Sequence, residues 1–526
     1  MSVQLPPTPQ PPAQCAHVTS SGVEARTSCV GLAWRRDVDV LFVIDDGADA
    51  GALQARLADA MPDFAARISA MDPPPNLHIA FTSSRDGNST CPAVDGGGGR
   101  LALSSCRERP TSFVDADGNH RFTELCAPRC ELQALATEPS AIEGDDTERP
   151  RPWIEVGATH TNLAPDVPLE AALRCASLLG VSGCPFPAPL RATQYALLRP
   201  WQDGNQPEVG FLRSSAMPVI VWVTSGIECS LGDAGERAFD PQEGRALWTD
   251  PEAATPGLCW RAGASCSNPD ADGVMRCTAR DVDEAGAPSR GGATVLQRLE
   301  VLAGLLEAID DARGTTTGRG PLPVVAITGP TDDPGSPVAA RASDDAPTLA
   351  RYGVAPSCEL DGDPLFPPVR LAAFAEADSE LAYGFVDTAL VSACTHDFGP
   401  ALELVADRIA GLVVPTCVPA CVADVDADTP GLQADCTLRA ELITADRREL
   451  AEIGPCEHDA SGDPVIPRGD AGCFVARTGD ALRPACSADG YNLELDLEWA
   501  GPLPSSAMFF PDCQLSEDRE RDCPRL

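Results

Sequence analysis

The sequence predicts an α/β protein: a doubly wound, mostly parallel six-strand sheet with long disulfide-stapled insertions, followed by a small Cys-rich, β-containing C-terminal module. Three observations predict it. An apolar strand, Val38–Ile44, stops at a cluster of carboxylates. An amphipathic helix follows at once, and later apolar runs repeat the alternation of strand and helix that builds a parallel sheet. The 22 cysteines, an even number, are spread from Cys15 to Cys523.

The stretch VDVLFVIDDGADA (38–50) organises the rest. Its near-continuous apolar run is too short for a helix and reads as a strand buried on both faces. Asp45, Asp46, Gly47 and Asp49 end it. From Gly51 to Ala70, Leu53, Leu57, Met61, Phe64 and Ile68 share one helical face, with a kink expected at Pro62. Open α/β sheets bind ligands at the carboxyl ends of their strands, which is where Asp45–Asp49 fall.

Leu77–Ser84, Met217–Thr224, Leu322–Thr328 and Gly384–Val391 read as further strands, with Met217–Thr224 the most apolar and central. Helices are expected over Leu169–Leu179, Leu190–Leu198 and Leu296–Ala312, and at the end of the sheet after Pro400, a residue tolerated in a first helical turn. The domain reading is a Pro-rich tether over 1–36, an α/β domain over 37–416 with insertions near 85–165, 230–292 and 331–380, and a Cys-rich module over 417–526. In that module Leu493, Leu495, Leu497 and Trp499 alternate with polar residues, the pattern of a half-buried strand.

Half-cystine candidates follow this layout. Cys15 and Cys29 are expected to staple the tether to the body. Cys91, Cys106, Cys126 and Cys130 lie in the first insertion, and Cys175 and Cys184 follow it. Cys229, Cys259, Cys266 and Cys277 belong to the second insertion, with Cys358 and Cys394 beyond. Cys417, Cys421, Cys436, Cys456, Cys473, Cys486, Cys513 and Cys523 are in the C-terminal module. Such numbers imply up to eleven disulfides and an oxidising compartment. Zinc is disfavoured: the closest pairs, Cys126/Cys130 and Cys417/Cys421, are C-x3-C with no matching second pair.

The net charge of −39 disfavours nucleic-acid partners and anionic membranes. All basic residues are Arg, which excludes lysine-based chemistry. No window is apolar for the ~18 residues needed to cross a bilayer. Met1–Gln14 has no apolar signal core, so an exported chain is expected to carry a leader upstream, secretory or lipid-anchoring.

The motif VDVLFVIDDGADA resembles the first strand and metal loop of von Willebrand factor A-like (vWA) domains. Over roughly Asp37 to Cys417 the chain is similar to large cysteine-rich secreted or lipid-anchored vWA-like proteins of myxobacteria and their relatives. LHIAFTSS (77–84), GFLRSSAMPVIVWVTSGIECS (210–230), LPVVAITGP (322–330) and CTHDFGPALELVADRI (394–409) carry the likeness further. It implies a vWA/Rossmann-like sheet with a metal above it, held by a D-x-S-x-S loop, a Thr from a second loop and an Asp after the central strand. This chain departs from that pattern. Asp45 keeps the first position, but Gly47 and Asp49 stand where the two Ser belong, Val181 stands for the Thr, and Ser225 stands for the second Asp. Glu228 alone survives of a following acidic run.

The candidate binding face is therefore Asp45, Asp46, Asp49, Val181, Ser225 and Glu228. No metal is favoured, because two ligand side chains are lost outright. The alternative is a rewired site of Asp45, Asp49 and Glu228 that suits calcium better than magnesium. Asp115-Ala-Asp117-Gly118 and Asp270-Ala-Asp272-Gly273 resemble half calcium loops, and Asp424-x-Asp426-x-Asp428 lacks the glycine an EF-hand needs, so all three are expected to be turns.

No H-E-x-x-H or G-x-S-x-G motif is present. His396-Asp397 precedes a helix and is expected to be a capping region, not half of a triad. The resulting expectation is an exported, non-enzymatic binding, adhesion or scaffold protein of a bacterial cell envelope. It would be extracellular, periplasmic or outer-membrane-anchored, with a protein or matrix component as partner. A structural platform whose C-terminal module binds the partner is the first alternative, and a secreted hydrolase the second.

Overall fold

A computed structural model describes residues 32–524, apart from scattered single or paired positions and the stretches 92–97, 202–205, 290–292, 315–320, 331–336, 381–385, 444–447 and 500–507. Twelve strands build two large sheets. In chain order they are β1 (Leu32–Ala33), β2 (Asp37–Ile44), β3 (Asn76–Ser83), β4 (Ile154–Val156), β5 (Met217–Val223), β6 (Leu322–Thr328), β7 (Val386–Ser392), β8 (Cys436–Ile443), β9 (Arg448–Pro455), β10 (Gly472–Thr478), β11 (Leu493–Trp499) and β12 (Met508–Cys513). The longer helices are α1 (Gly51–Ser69), α2 (Leu169–Ala176), α3 (Pro189–Leu198), α4 (Leu299–Gly314), α5 (Val369–Glu380) and α6 (Gly399–Leu412).

The first sheet has the order β7-β6-β5-β2-β3-β4. Its pairings are parallel except for β4, which runs antiparallel to β3. β2 is buried along its whole length, and the register sets Phe42 beside Phe81 and Val221. Residues in register share a face. Phe42 meets Phe64 of α1 on that face. Trp222, one residue on, faces the opposite way and meets Phe374 of α5, while its indole N–H donates to Thr193 Oγ1 of α3 at 2.8 Å. The two charges inside β2 are answered at depth: Asp37 accepts from Asn76 Nδ2 at 2.6 Å, and Asp39, fully buried, accepts from Arg213 Nε at 2.9 Å and from the Arg213 backbone N–H at 2.7 Å. α1 continues through Pro62.

The second sheet has the order β1-β12-β8-β9-β10-β11 and is antiparallel except at β9–β10. The chain thus does not have the expected fold of one doubly wound, mostly parallel sheet with a small appendage. Its strands are shared among six sheets, mixed and antiparallel, with the second sheet matching the first in strand number. Helix and strand make up nearly equal shares of the described residues, 28% and 29%. The insertions carry small antiparallel sheets of their own, such as Cys358–Leu360 with Asp363–Leu365. The physical reason is that disulfides let short segments pair without the apolar periodicity from which a strand is normally read.

Leu32 and Ala33, at the end of the expected tether, pair with Phe509 and Met508. One further expectation is corrected. β11 is not half-buried: Glu494 and Asp496 are as buried as the leucines between them.

Twenty of the cysteines form ten disulfides: 91–184, 106–126, 130–175, 229–259, 266–277, 358–394, 417–486, 421–523, 436–513 and 456–473. The body's cysteines are paired with one another, so none is left to receive Cys15 or Cys29, which lie outside the described residues.

Candidate functional site: the carboxylates at the strand ends

Asp45 directly extends β2. Its N–H donates to Val223 O at 2.8 Å, and its Oδ1 accepts from Gly47 N–H at 3.0 Å. Gln54, wholly buried on α1, ties this turn to the loop before Val181: its Nε2 donates to Asp45 O at 2.8 Å and Gly180 O at 2.6 Å, while its Oε1 accepts from Gly180 N–H at 2.9 Å. Gly183 N–H donates to Asp46 O at 2.7 Å. A Cβ at Gly183 would lie 2.4 Å from that oxygen, so only glycine permits this approach.

The six expected residues lie around this face but do not converge on one point. Asp46 pairs with Arg85. Asp49 pairs with Arg351 at 2.8 Å and accepts the Tyr352 hydroxyl. Glu228 has a fully buried side chain and pairs with Arg370 at 2.9 Å, its other oxygen accepting Ser230 N–H at 2.7 Å. Ser225 accepts Phe366 N–H at 2.7 Å through its carbonyl. Val181 packs into a small apolar cluster with Phe113, Leu125 and Leu178, its N–H bonded to Ser112 O.

Among the described residues Asp45 has no cation partner. Burial pushes its carboxyl up to about 7, against the pull of the Gly47 and Ser225 N–H groups, with the nearby charges of Asp46 and Asp49 adding to the rise. Asp46 is also pushed up by burial, with Arg85 opposing. Burial and the facing Asp49 raise the Tyr352 hydroxyl.

Three of the four carboxylates already hold an arginine, and Asp45, Asp49 and Glu228 form no convergent oxygen set. The only three-residue group of close ligand atoms among the described residues is Cys106, Cys126 and Cys130, whose sulfurs are committed to disulfides. The acidic loops have turned inward too. Asp115 Oδ1 accepts from Asp117 and Asn119 N–H, Asp270 Oδ1 from Asp272 and Val274 N–H, and Asp424 Oδ1 from Asp426 and Gln433 N–H. His396 lies 3.7 Å from Asp361 on an exposed edge, and Asp397 Oδ1 accepts from Gly399 N–H at the start of α6.

The residues missed from sequence are the answering ones: Gln54, Arg85, Arg351, Tyr352, Arg370 and the 349–366 segment. That segment crosses the strand ends as a strap. Its own Tyr352, Val354, Leu360, Leu365 and Phe366 are buried. Its carbonyl at Phe366 sits where a Cβ on Gly226 or Gly329 would fall, at 2.1 and 1.9 Å. A small cleft remains, lined by Asp45, Asp49, Pro185, Ser225, Tyr352 and Phe366 among others.

No family model matches the chain, and no curated protein sequence matches it. Two solved structures of the pilus adhesin SpaC from Lactobacillus rhamnosus GG align over 91% of it, at 9% and 8% identity and TM-scores of 0.28 and 0.27. The chain spans only 38% and 39% of those adhesin chains. A likeness this low carries no argument about fold or function. What the chain itself defines is a disulfide-rich protein of mixed helices and several sheets, of a kind suited to an extracellular or envelope setting. No helix among the described residues is long and apolar enough to cross a membrane.

Proposed function

We propose that this is an exported, non-enzymatic binding or scaffold protein of a bacterial cell envelope that works without a metal at its strand ends. The observation that carries the reading is the set of internal partners: Asp46, Asp49 and Glu228 hold Arg85, Arg351 and Arg370 where an ion-dependent site needs free oxygens. The ten disulfides support an extracellular, periplasmic or outer-membrane-anchored setting. The likeness of VDVLFVIDDGADA to the vWA metal loop enters as kinship of motif, with the loop's carboxylates turned to structural use. The partner is a protein or matrix component.

The 349–366 strap favours one refinement. It covers the strand-end face, so partner contact falls to the insertions or to the C-terminal sheet, and the face itself serves as a platform.

The test is retention of the oxidised protein by envelope and matrix fractions in EDTA and in millimolar calcium or magnesium. Equal retention is expected. Retention that needs the ion and fails in Asp45→Ala overturns metal independence. Turnover in a panel of glycan and peptide substrates overturns the binding role.

A further inference from the structure

We infer that residues 417–523, completed by β1, form a separately cross-linked unit that docks on the rest of the chain through an arginine–carboxylate clamp and can be released from it as a folded whole. Four independent observations carry this.

The disulfides divide without overlap. Six lie within 91–394 and four within 417–523, and none joins the two groups. The apolar cores divide in the same way. Leu438, Ile453, Leu493, Leu495, Leu497 and Phe509 belong to a cluster that shares no residue with the core around β2 and β5. Docking here is therefore not driven by a common hydrophobic core, the situation in which relative motion of units is the default.

The clamp spans the divide with charge. Asp496 of β11 accepts from Arg36, whose own carbonyl is fixed in the body by Asn76 N–H at 2.8 Å. Arg483 reaches the other way, from the C-terminal unit to Asp72 just after α1, at 2.7 Å. The remaining pairs lie inside the unit: Arg483 with Glu494 and Asp496, and Arg477 with Asp496. The Arg36–Asp496 pair is buried, and such pairs define a register more than they add stability, whereas Asp72 is largely exposed. Finally, the chain crosses between the two parts at only two places among the described residues, at 33–36 and 413–417. The second crossing is pinned on the unit's side, where Leu495 N–H donates to Thr416 O at 3.1 Å.

The experiment uses the full oxidised chain and the double variant Arg36→Gln/Asp72→Asn, which cuts both bridging pairs and leaves the unit's internal pairs intact. Radius of gyration is read by X-ray scattering, thermal transitions by calorimetry, and backbone protection by hydrogen exchange. The expected result is a larger radius and a single transition split into two, with protection in β5 and β8 unchanged. An unchanged radius with one transition overturns the inference, because the clamp then does not hold the units together. Loss of protection in β5 or β8 also overturns it, because the pairs then hold a sheet rather than a junction. Neither result bears on which surface binds a partner.

Discussion

Asp363 Oδ2 accepts a hydrogen bond from Ala52 N–H at 2.7 Å across 311 residues of sequence. The first turn of α1 has no side-chain cap of its own at Ala50, and helix starts leave several N–H groups without partners. A residue of the strap supplies what the local sequence lacks, and Arg121 holds the same carboxylate at 3.3 Å.

Asp363→Ala should therefore cost about 0.5–2 kcal/mol, the usual range for a lost N-cap. The melting temperature should fall by a few degrees. A double variant with Arg121→Ala should lose less than the sum of the two single losses, because both act on one contact. Full additivity would show that the two contacts are independent.

The clamp predicts acid behaviour. Arg36 and Arg483 outweigh burial and hold Asp496 down to about 2, below its ordinary 3.8. A depressed carboxyl adds stability above its unfolded pKa and loses that stability as pH falls through the folded value. The contribution, on the order of 2 kcal/mol at neutral pH, should disappear between about pH 4 and pH 2. Chemical denaturation of wild type and Asp496→Asn across that window measures it, and the two should converge at the acid end.

Asp45 has the opposite sign. A carboxyl raised to about 7 favours the folded state fully below its unfolded 3.8, and that advantage is lost as pH rises to about 7. Unfolding free energies of wild type should fall over this range, and Asp45→Asn should flatten that fall. An identical slope in the variant would place the titration elsewhere.

Gly226 has φ +115°, a backbone conformation that side chains rarely adopt, and a Cβ there would meet Phe366 O at 2.1 Å. Gly226→Ala should destabilise by on the order of 3 kcal/mol through strain and overpacking together. Hydrogen exchange should show the loss first in the strap, at residues 349–366.

Much of the first sheet was legible because its strands are buried on both faces and so read as unbroken apolar runs. β2, β3, β5 and β6 fall within a residue or two of expectation for that reason. The position of Asp45 at the end of β2 followed from the same run. What was not legible was what each carboxylate does. Its partner lies 39 residues away for Asp46, 142 for Glu228 and 302 for Asp49, with no local pattern to announce it. β8 and β12 were not placed individually within the expected β-containing module, although Leu438, Ala440 and Leu442 alternate. Glu494 and Asp496 read as a solvated face because alternation reports polarity, and arginines arriving from residues 36, 477 and 483 turned that face inward.

The pairing of Leu32 and Ala33 with Phe509 and Met508 also sets an order of events in time. A chain delivered from its N-terminus brings β1 out well before β12. The parallel sheet and its six disulfides can form while the remainder is still arriving, since domains generally fold as units during delivery. The second sheet has no such freedom: its first edge strand waits for every other strand of the two sheets before its partner exists. Closing that edge is a very long-range contact, the kind that slows folding most, and it makes the second sheet the later of the two to become native.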